Sequence, residues 1–210
     1  MPDRRLIIAS RNGGKVAEFR QMFDALGGVK TIGLADLPKD DGFEPDETGR
    51  TFRDNACLKA SAYARRHGCL ALADDSGLCV DALGGRPGVH SARFAQLDGA
   101  GSGDADNNRL LLRLLDRTPE AARTARFACV LALADADGRV LFTSEGSVEG
   151  RILREPRGDN GFGYDPLFFH PPSDRTTAEL SPAEKHAVSH RGKATRRLQA
   201  LLDQHGLPPT

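Results

Sequence analysis

The chain has 210 residues, of which 39% are hydrophobic and 28% charged, and its 29 basic and 29 acidic residues leave no formal net charge. This length allows a sizeable buried core, and the composition excludes a disordered or fibrous chain. The balanced charge excludes a long-range attraction to nucleic acid or to an anionic membrane, so any anion site must be local.

The first predicted elements are a strand, a glycine-containing turn and a helix. RRLIIAS at 4–10 predicts a buried strand, and RNGGK at 11–15 predicts the turn. Apolar residues at helical spacing in 16–26 predict an amphipathic helix. This order presents backbone N–H groups at a helix N-terminus, where phosphate groups can bind. TIGLADLP at 31–38 predicts a second strand, and an acidic loop follows at 39–49.

The middle of the chain predicts a long helix and then further strands. Thr51 is typical of an N-cap and Gly68 of a C-terminal stop, so we predict a helix between them. The apolar runs CLALADD and LCVDAL predict two strands separated by Ser76-Gly77. The glycine-rich segment 84–106 predicts a long loop, and loops of that length are usually functional or mobile.

The last part of the chain alternates helices and strands. We predict a helix over 105–116 and then a β-meander with its turn at 137–138. SPAE at 181–184 matches an N-cap, an N1 proline and a capping-box glutamate, and Ser189 is placed to cap the final helix. The mixture of strands and flanking helices predicts an α/β protein. Its length suits one large domain or two small lobes, and we expect a single domain over 1–210.

The cysteines and the N-terminus bear on the compartment. Cys57, Cys69, Cys79 and Cys129 have neither CxxC nor Cys/His ligand spacing, which favours small core residues in a reducing compartment. The apolar run near the N-terminus is too short for a signal peptide, and no stretch is long enough to span a bilayer. We therefore expect a cytoplasmic protein.

Two adjacent carboxylates, Asp74 and Asp75, stand where an apolar run ends. Two like charges repel each other, and removing either from water is costly without a cation or a donor. Neighbouring side chains of an extended segment point to opposite faces, so we expect different roles for the two carboxylates. We expect Asp75 to contact a metal and act as a general base, and Asp74 to brace a loop or the water shell of the ion. The alternative is a solvated turn, since Asp, Ser and Gly are common in turns.

Two lysines are candidate phosphate ligands. In SRNGGK, Lys15 follows two glycines after a strand and could hold phosphate oxygens together with Asn12, although the spacing is not that of a Walker A motif. Lys59 lies in the middle of the helix that follows DETG. The alternatives are an ordinary strand-to-helix turn and a solvated helix face.

The acidic loop is a candidate metal ligand. Mg²⁺ takes one or two protein carboxylates and completes its octahedron with water and substrate phosphates. One carboxylate from DETG together with Asp75 would therefore be enough. The alternative is a merely solvated acidic loop.

The last third of the chain offers a candidate surface for a planar ligand. In GDNGFGYDP, glycines on both sides of Phe162 allow close approach while its ring offers a stacking surface, and Asp165 precedes a proline that restricts its backbone. His190 and Arg191 stand in the first turn of the final helix, where the helix dipole disfavours cations, so a partner anion or acceptor is expected. The alternative is a glycine-rich hairpin with a core phenylalanine.

Together these features suit one ligand, a magnesium nucleotide. The chain resembles the inosine triphosphate pyrophosphatase family over nearly its whole length. The resemblance rests on five blocks in the family's order: SRNGGKVAEF, DETGRTFRDNACLKA, ADDSGLCVDALGGRPGVHSARF, GFGYDPLFF and AELSPAEKHAVSHRGKA. It implies an elongated two-lobed mixed sheet with flanking helices around a central nucleotide cleft, usually in a homodimer. It also implies Mg²⁺-dependent hydrolysis of ITP, dITP and XTP to the monophosphate and pyrophosphate.

The resemblance also implies the site. Glu47 and Asp75 correspond to metal ligands, Asp75 also to the proton acceptor, and Ser76 to a substrate contact; Asp46 leaves open which carboxylate of the acidic loop touches the metal. The residues that correspond to the triphosphate site are Ser10, Arg11, Asn12, Gly13, Gly14, Lys15 and Lys59. The residues that correspond to the base pocket are Phe162, Gly163, Tyr164, Asp165, Lys185, His190 and Arg191.

A reaction and its alternatives follow from these assignments. Asp75 would orient or deprotonate a water that attacks the α-phosphorus, in line with departing pyrophosphate. Donors from Lys185, His190 or Arg191 would pair with the 6-keto oxygen of hypoxanthine or xanthine and disfavour the amino group of adenine. We expect a small-molecule nucleotide substrate, with no nucleic acid or membrane partner. The alternatives are a general nucleotide phosphohydrolase and a nucleotide- or RNA-binding module without turnover.

Overall fold

The computed structural model describes residues 4–11, 13–26, 29–37 and 42–207. The strands are β1 Arg4–Ile8, β2 Val29–Gly33, β3 Leu70–Val80, β4 Thr124–Ala134, β5 Val140–Ile152, β6 Phe168–His170 and β7 Arg175–Thr176. The α-helices are α1 Gly13–Leu26, α2 Phe52–His67, α3 Phe94–Leu97, α4 Asp104–Leu114, α5 Pro182–Val188 and α6 His190–His205. The 3-10 helices are Leu34–Asp36, Asp81–Leu83, Gly88–Arg93, Glu120–Ala122, Pro171–Ser173 and Thr177–Glu179. Within these described ranges, no helix has the length and apolar character needed to cross a membrane.

The strands form a mixed sheet, which confirms the α/β class. Within the described part of the chain, seven strands follow the order β2-β1-β3-β4-β5-β6-β7. Strand β1 is parallel to β2 and β3, whereas β6 is antiparallel to β5 and β7. The register pairs Ile8 with Leu72, so β1 ends beside the first residues of β3.

The chain divides into two compact units, and the prediction of a single domain over 1–210 stays a prediction. The first unit comprises Met1–Asp75, Val130–Glu145 and Ala194–Thr210. In its core, apolar residues alternate along β3 and β4 and recur at helical spacing on α2, and Ile7 of β1 joins them, so one face of these strands packs against α2. The buried members are Ile7, Leu34, Ala56, Ala60, Tyr63, Ala64, Cys69, Ala71, Ala73, Val130, Ala132 and Ala134.

The second unit comprises Ser76–Cys129 and Gly146–Lys193. Its core combines the second half of β3 with α3, α4 and parts of β4, β5 and β6. Each fully buried Leu or Phe side chain contributes about 1.5–3 kcal/mol to folding. The buried members are Leu78, Val80, Phe94, Ala95, Leu110, Leu111, Leu115, Ala125, Phe127, Val148, Ile152, Tyr164, Leu167 and Phe168.

The predicted helix caps are confirmed. The Thr51 hydroxyl accepts a hydrogen bond from the Asp54 N–H and completes a capping box, and Gly68 ends α2 in the left-handed conformation with φ 58°. At α5, Ser181 and Glu184 form the same reciprocal pair, with Pro182 in the first turn. These contacts fix the two helices that carry Lys59 and Lys185.

The first elements differ from their predicted bounds. Helix α1 begins at Gly13, three residues before the predicted start, so the glycines of SRNGGK belong to its first turn rather than to a separate loop. Strand β2 begins earlier than predicted and gives way to a 3-10 helix, Leu34–Asp36. Pro38 and the first part of the acidic loop, 39–41, lie outside the described residues.

The prediction of two strands around Ser76-Gly77 was wrong, because β3 continues without a break through both residues. Gly77 is used for close packing: a Cβ atom there would lie 2.4 Å from the Ser91 hydroxyl oxygen and 2.5 Å from the Gly88 carbonyl oxygen. The Ser91 hydroxyl also accepts a hydrogen bond from the Leu78 N–H at 2.9 Å. Gly77 therefore permits the close approach of Ser91 and Gly88, and the sequence pattern was wrongly interpreted as a turn.

The prediction of one long loop over 84–106 was also wrong in part. A 3-10 helix, Gly88–Arg93, and α3 lie inside that segment, and α4 already begins at Asp104. Asn107 stabilises the compact arrangement, because its side chain accepts from the Ala95 N–H and donates to the Ala92 carbonyl. The glycines weaken the helical periodicity of this segment, so the sequence pattern did not indicate the short helices.

Candidate active site

In the first unit, the predicted phosphate segment follows β1 at the carboxyl end of the parallel strands, where ligands of open α/β sheets bind. The Ala9 N–H donates to the Leu72 carbonyl at 2.8 Å, which aligns the segment with β3. Ser10 is half-buried, and the exposed Arg11 pairs with Glu44. Asn12 lies outside the described residues. Two further predicted positions, Gly13 and Gly14, begin α1.

Lys15 and Asp74 form an ion pair that joins the first turn of α1 to β3. The Asp74 side chain is 3% exposed and that of Lys15 19% exposed. A carboxylate this deeply buried needs a compensating cation, and Lys15 supplies it. Lys15 thus stands at a helix N-terminus, as the prediction of a phosphate ligand requires. Its partner is Asp74, the carboxylate predicted to brace a loop or the water shell of the ion.

Lys59 joins the two predicted metal ligands. Its ammonium nitrogen lies 2.8 Å from Oε1 of Glu47 and 3.0 Å from Oδ1 of Asp75. The side chains of Lys59 and Asp75 are 14% and 10% exposed, whereas that of Glu47 is 29% exposed. Asp74 and Asp75 therefore have different lysine partners, as the alternation along a strand predicts. Glu47 is the carboxylate of DETG that meets Lys59, and its neighbour Asp46 is exposed.

Asn55 connects the acidic loop to Asp75, and the sequence reasoning missed it. Asn55 is 1% exposed, its Nδ2 donates to Oδ2 of Asp75 at 3.3 Å, and its Oδ1 accepts from the Gly49 N–H at 2.8 Å. A Cβ atom on Gly49 would lie 2.5 Å from that amide oxygen, so a glycine is needed there. Asn55 and Lys59 share one face of α2 at a spacing of four residues, a pattern that could have indicated Asn55 from sequence.

Partial burial and mutual attraction shift the pKa values of Asp75 and Lys59. Burial raises the pKa of Asp75, and Glu47 adds to the rise, while Lys59 and Asn55 oppose it. Burial acts to lower the pKa of Lys59, but the attraction of Asp75 and the hydrogen bond to Glu47 outweigh burial and the pKa is raised. Lys59 therefore remains an ammonium at neutral pH.

The donor set fits a hard divalent cation. Glu47 and Asp75 offer carboxylate oxygens that already share one positive charge, and Mg²⁺ needs only one or two such carboxylates. Among the described residues, no group of three or more His, Cys, Asp or Glu side chains is arranged to hold a metal ion. An ion bound here would thus take its remaining ligands from water or substrate.

In the second unit, a buried carboxylate binds the backbone of the segment that carries Phe162. Phe162 is 51% exposed although its side chain is large and apolar. Asp165, 3% exposed, accepts from the Phe162 N–H at 2.8 Å and from the Thr177 hydroxyl at 2.8 Å, and it forms an ion pair with Lys185. The Lys185 ammonium lies 4.8 Å from the centroid of the Phe162 ring. The loop therefore presents an aromatic ring and a cation together, and Gly163 follows with φ 62°.

The other predicted base-pocket residues are placed differently. Tyr164 is a core residue whose hydroxyl donates to the Ser91 carbonyl at 2.8 Å, and burial raises its pKa. Arg191 is 8% exposed and donates to the Ser76 hydroxyl at 3.2 Å. The His190 ring stacks on Phe127 with centroids 5.0 Å apart.

Ser189 orients these residues of the final helix. Its hydroxyl accepts from the Gly192 N–H at 3.0 Å, which confirms the predicted cap. Helix α6 begins at His190, immediately after this residue. The structure thus brings Arg191 to Ser76 and Lys185 to Phe162, and it leaves Tyr164 as a packing residue of the loop.

The fold is that of an α/β protein with a mixed sheet, and its lysine–carboxylate pairs lie near the carboxyl end of β1, the edge at which ligands of open α/β sheets bind. The model of the Ham1 family matches residues 6–201, and the chain belongs to this family. It is 49% identical over 201 residues to the dITP/XTP pyrophosphatase of Desulforamulus reducens, which covers 95% of this chain and 96% of that protein. The family membership predicted from the five sequence blocks is confirmed.

Solved structures agree with this assignment. A HAM1 protein from Coxiella burnetii superposes with a TM-score of 0.86 at 41% identity, covering 96% of this chain and 99% of that one. A nucleoside-triphosphatase / dITP/XTP pyrophosphatase from Mycobacterium abscessus gives a TM-score of 0.75 at 44% identity, covering 94% and 98%. The fold assignment therefore agrees with that from sequence similarity.

Proposed function

We propose that this chain is a metal-dependent nucleoside triphosphate pyrophosphatase that hydrolyses ITP, dITP and XTP to the monophosphate and pyrophosphate and so removes deaminated purines from the nucleotide pool. The observation that carries the proposal is the Lys59 ammonium shared by Glu47 and Asp75. The name of the Desulforamulus reducens relative, at 49% identity, supports the substrate class.

The first-unit residues suit the handling of a triphosphate. Lys15 supplies a positive charge in the first turn of α1, where backbone N–H groups also favour phosphate oxygens, and Lys59 supplies a second positive charge on α2. Glu47 and Asp75 would hold Mg²⁺, which when bound would neutralise part of the triphosphate charge and polarise a phosphoryl oxygen. Each lysine already faces a carboxylate, so the charges are positioned before the substrate arrives.

Asp75 orients the attacking water in this proposal. Its carboxylate is fixed by Lys59 at 3.0 Å and by Asn55 at 3.3 Å, so few orientations are open to it. A water hydrogen-bonded to this oxygen pair would approach the α-phosphorus opposite the leaving pyrophosphate. Burial raises the pKa of Asp75 in the metal-free protein, whereas Mg²⁺ bound to the same carboxylate would lower it, so the role proposed for Asp75 is to orient the water.

The second-unit residues suit a purine base. The Phe162 ring offers a flat apolar face, and Lys185 and Arg191 offer N–H groups from which a 6-keto oxygen can accept hydrogen bonds. Adenine would place an amino group against these donors, which leaves buried polar groups unpaired. Hypoxanthine and xanthine are therefore favoured over adenine.

Replacing Arg191 with alanine tests this recognition. We expect the ratio of kcat/KM for dITP to that for dATP to fall about 10-fold or more, because a donor to the 6-keto oxygen is lost. Steady-state kinetics with both nucleotides measure the ratio. Arg196→Ala is the matched control, since Arg196 is exposed on the same helix, and it should leave the ratio unchanged. An unchanged ratio in Arg191→Ala would remove Arg191 from base recognition.

A substrate panel tests the function itself. The purified protein is incubated with ITP, dITP, XTP, dATP and dGTP, with and without Mg²⁺, and phosphate is separated from pyrophosphate. The proposal predicts pyrophosphate from the first three nucleotides, and only with the metal. Stepwise release of phosphate, or equal use of dATP, would indicate a general nucleotide phosphohydrolase. Binding without turnover would indicate a nucleotide- or RNA-binding module.

Two further proposals concern the assembled protein. We expect a homodimer, as the family resemblance implies, and a cytoplasmic location, because the nucleotide pool that it would act on is there. Light scattering of the purified chain and fractionation of cells measure these two properties. The proposed partner is the small-molecule nucleotide, with no nucleic acid or membrane.

A further inference from the structure

In the second unit, one helix holds both backbone groups of Gly163. Oδ2 of Asp104 accepts from the Gly163 N–H at 2.7 Å, and Nδ2 of Asn108 donates to the Gly163 carbonyl at 2.9 Å. Asp104 and Asn108 are four residues apart on α4 and so lie on the same face of that helix. Gly163 has a positive φ of 62°, a backbone conformation that these two contacts hold in place.

The residue before Gly163 is the exposed Phe162. Its own N–H is bound by Asp165 at 2.8 Å, so three side chains fix the backbone on the two sides of its Cα atom. Holding a large, half-exposed apolar side chain in one conformation costs conformational entropy. A functional role for that conformation would explain why three side chains fix the backbone here. The contacts of α4 thus reach the one exposed aromatic residue of the predicted base pocket.

Helix α4 is itself firmly anchored. Leu110 and Leu111 are 2% and 0% exposed in the core of the second unit, and Asn107 is bonded to the backbone at Ala92 and Ala95. The amide oxygen of Asn108 is buried and accepts no hydrogen bond within the described part of the chain. A buried unpaired acceptor costs stability, and the hydrogen bond that Nδ2 of Asn108 donates to Gly163 offsets part of that cost.

We propose that Asp104 and Asn108 are positioning residues that orient the Phe162 ring and thereby set the affinity for the purine base. The inference rests on the proposed function, since there the Phe162 ring stacks on the base. Neither residue touches the nucleotide in this account; both act through Gly163. Preorganisation of the ring removes the cost of ordering the loop when the base binds.

A double-mutant cycle on Phe162 tests the inference. Calorimetry measures the affinity for inosine monophosphate, which carries the base, and for inorganic tripolyphosphate, which does not. We expect Asp104→Ala and Asn108→Ala each to weaken binding of the monophosphate about 3- to 10-fold, the loss of one hydrogen bond. Binding of tripolyphosphate should not change. In a Phe162→Ala background, the same two substitutions should cause no further loss.

Two variants separate positioning from general damage. Asp104→Asn keeps an acceptor oxygen and should retain most of the affinity for the monophosphate. Arg109 lies on the same helix and its side chain is 74% exposed, so Arg109→Ala should behave as the wild type. Thermal melting of each variant reports folding, and a positioning role does not require the melting temperature to fall in step with the affinity.

Several results would overturn the inference. One is an equal loss of affinity from Asp104→Ala with and without Phe162; another is a loss that extends to tripolyphosphate. A third is unchanged binding of the monophosphate in Asp104→Ala and Asn108→Ala, or in Phe162→Ala itself. Release of pyrophosphate from dITP is scored separately. A wild-type protein that binds the monophosphate but releases no pyrophosphate would contradict the proposed function and leave the cycle readable.

Discussion

Asp75→Asn is expected to lower kcat for dITP about 1,000-fold, the range of a lost general base or water-positioning group. Asparagine keeps the size of the side chain but removes the charge that the Lys59 ammonium faces at 3.0 Å. The melting temperature should not fall, because burial makes the charged form of Asp75 costly, as its raised pKa indicates. Steady-state kinetics and thermal melting measure the two effects.

The control for this substitution is Asp46→Asn, since Asp46 is an exposed carboxylate beside Glu47. It should retain nearly the activity of the wild type. Activity close to normal in Asp75→Asn would remove Asp75 from the reaction. A large fall in both activity and melting temperature would assign Asp75 a structural role instead.

Lys59→Met is expected to make the protein depend on a divalent cation for its stability. The substitution leaves Glu47 and the buried Asp75 without their shared ammonium. Removing one partner of a buried ion pair costs about 3–5 kcal/mol, and the partial exposure of Glu47 reduces that here to about 2 kcal/mol. We expect a lower melting temperature without metal and a larger rise on adding Mg²⁺ than in the wild type. Activity on dITP should fall about 100-fold or more as the phosphate contact is lost.

Lys15→Met provides the matched comparison, because it breaks a lysine–carboxylate pair that does not include Glu47 or Asp75. Its melting temperature should also fall, but the rise with Mg²⁺ should equal that of the wild type. The experiment uses thermal melting without nucleotide, so it reads the cation site independently of turnover. A wild-type response to Mg²⁺ in Lys59→Met would contradict the assignment of Glu47 and Asp75 as metal ligands.

The sequence predicted the parts of the fold whose causes are local. The cap at Thr51 involves a residue only three positions away, and the same is true of Ser181 and Glu184, so both helix starts were predicted correctly. The break at Gly77 was predicted wrongly, because the atoms that require a glycine there belong to a distant segment. A glycine has the same local signature whether it allows a turn or a close contact.

The same distinction holds in the candidate site. The opposite orientations of Asp74 and Asp75 follow from strand geometry and were predicted. The lysine that each carboxylate meets depends on the register of β1 with β3 and on the packing of α2, which no local pattern gives. Asn55 was missed for that reason, although its spacing of four residues from Lys59 marks a shared helix face.

The most direct measurement of the central claim is hydrolysis of dITP by the wild-type protein in ¹⁸O-labelled water with Mg²⁺, followed by mass spectrometry of the products. We expect one labelled oxygen in deoxyinosine monophosphate and unlabelled pyrophosphate, because the water that Asp75 orients attacks the α-phosphorus. Label in released phosphate or pyrophosphate would place the attack on another phosphorus and would contradict the proposed reaction.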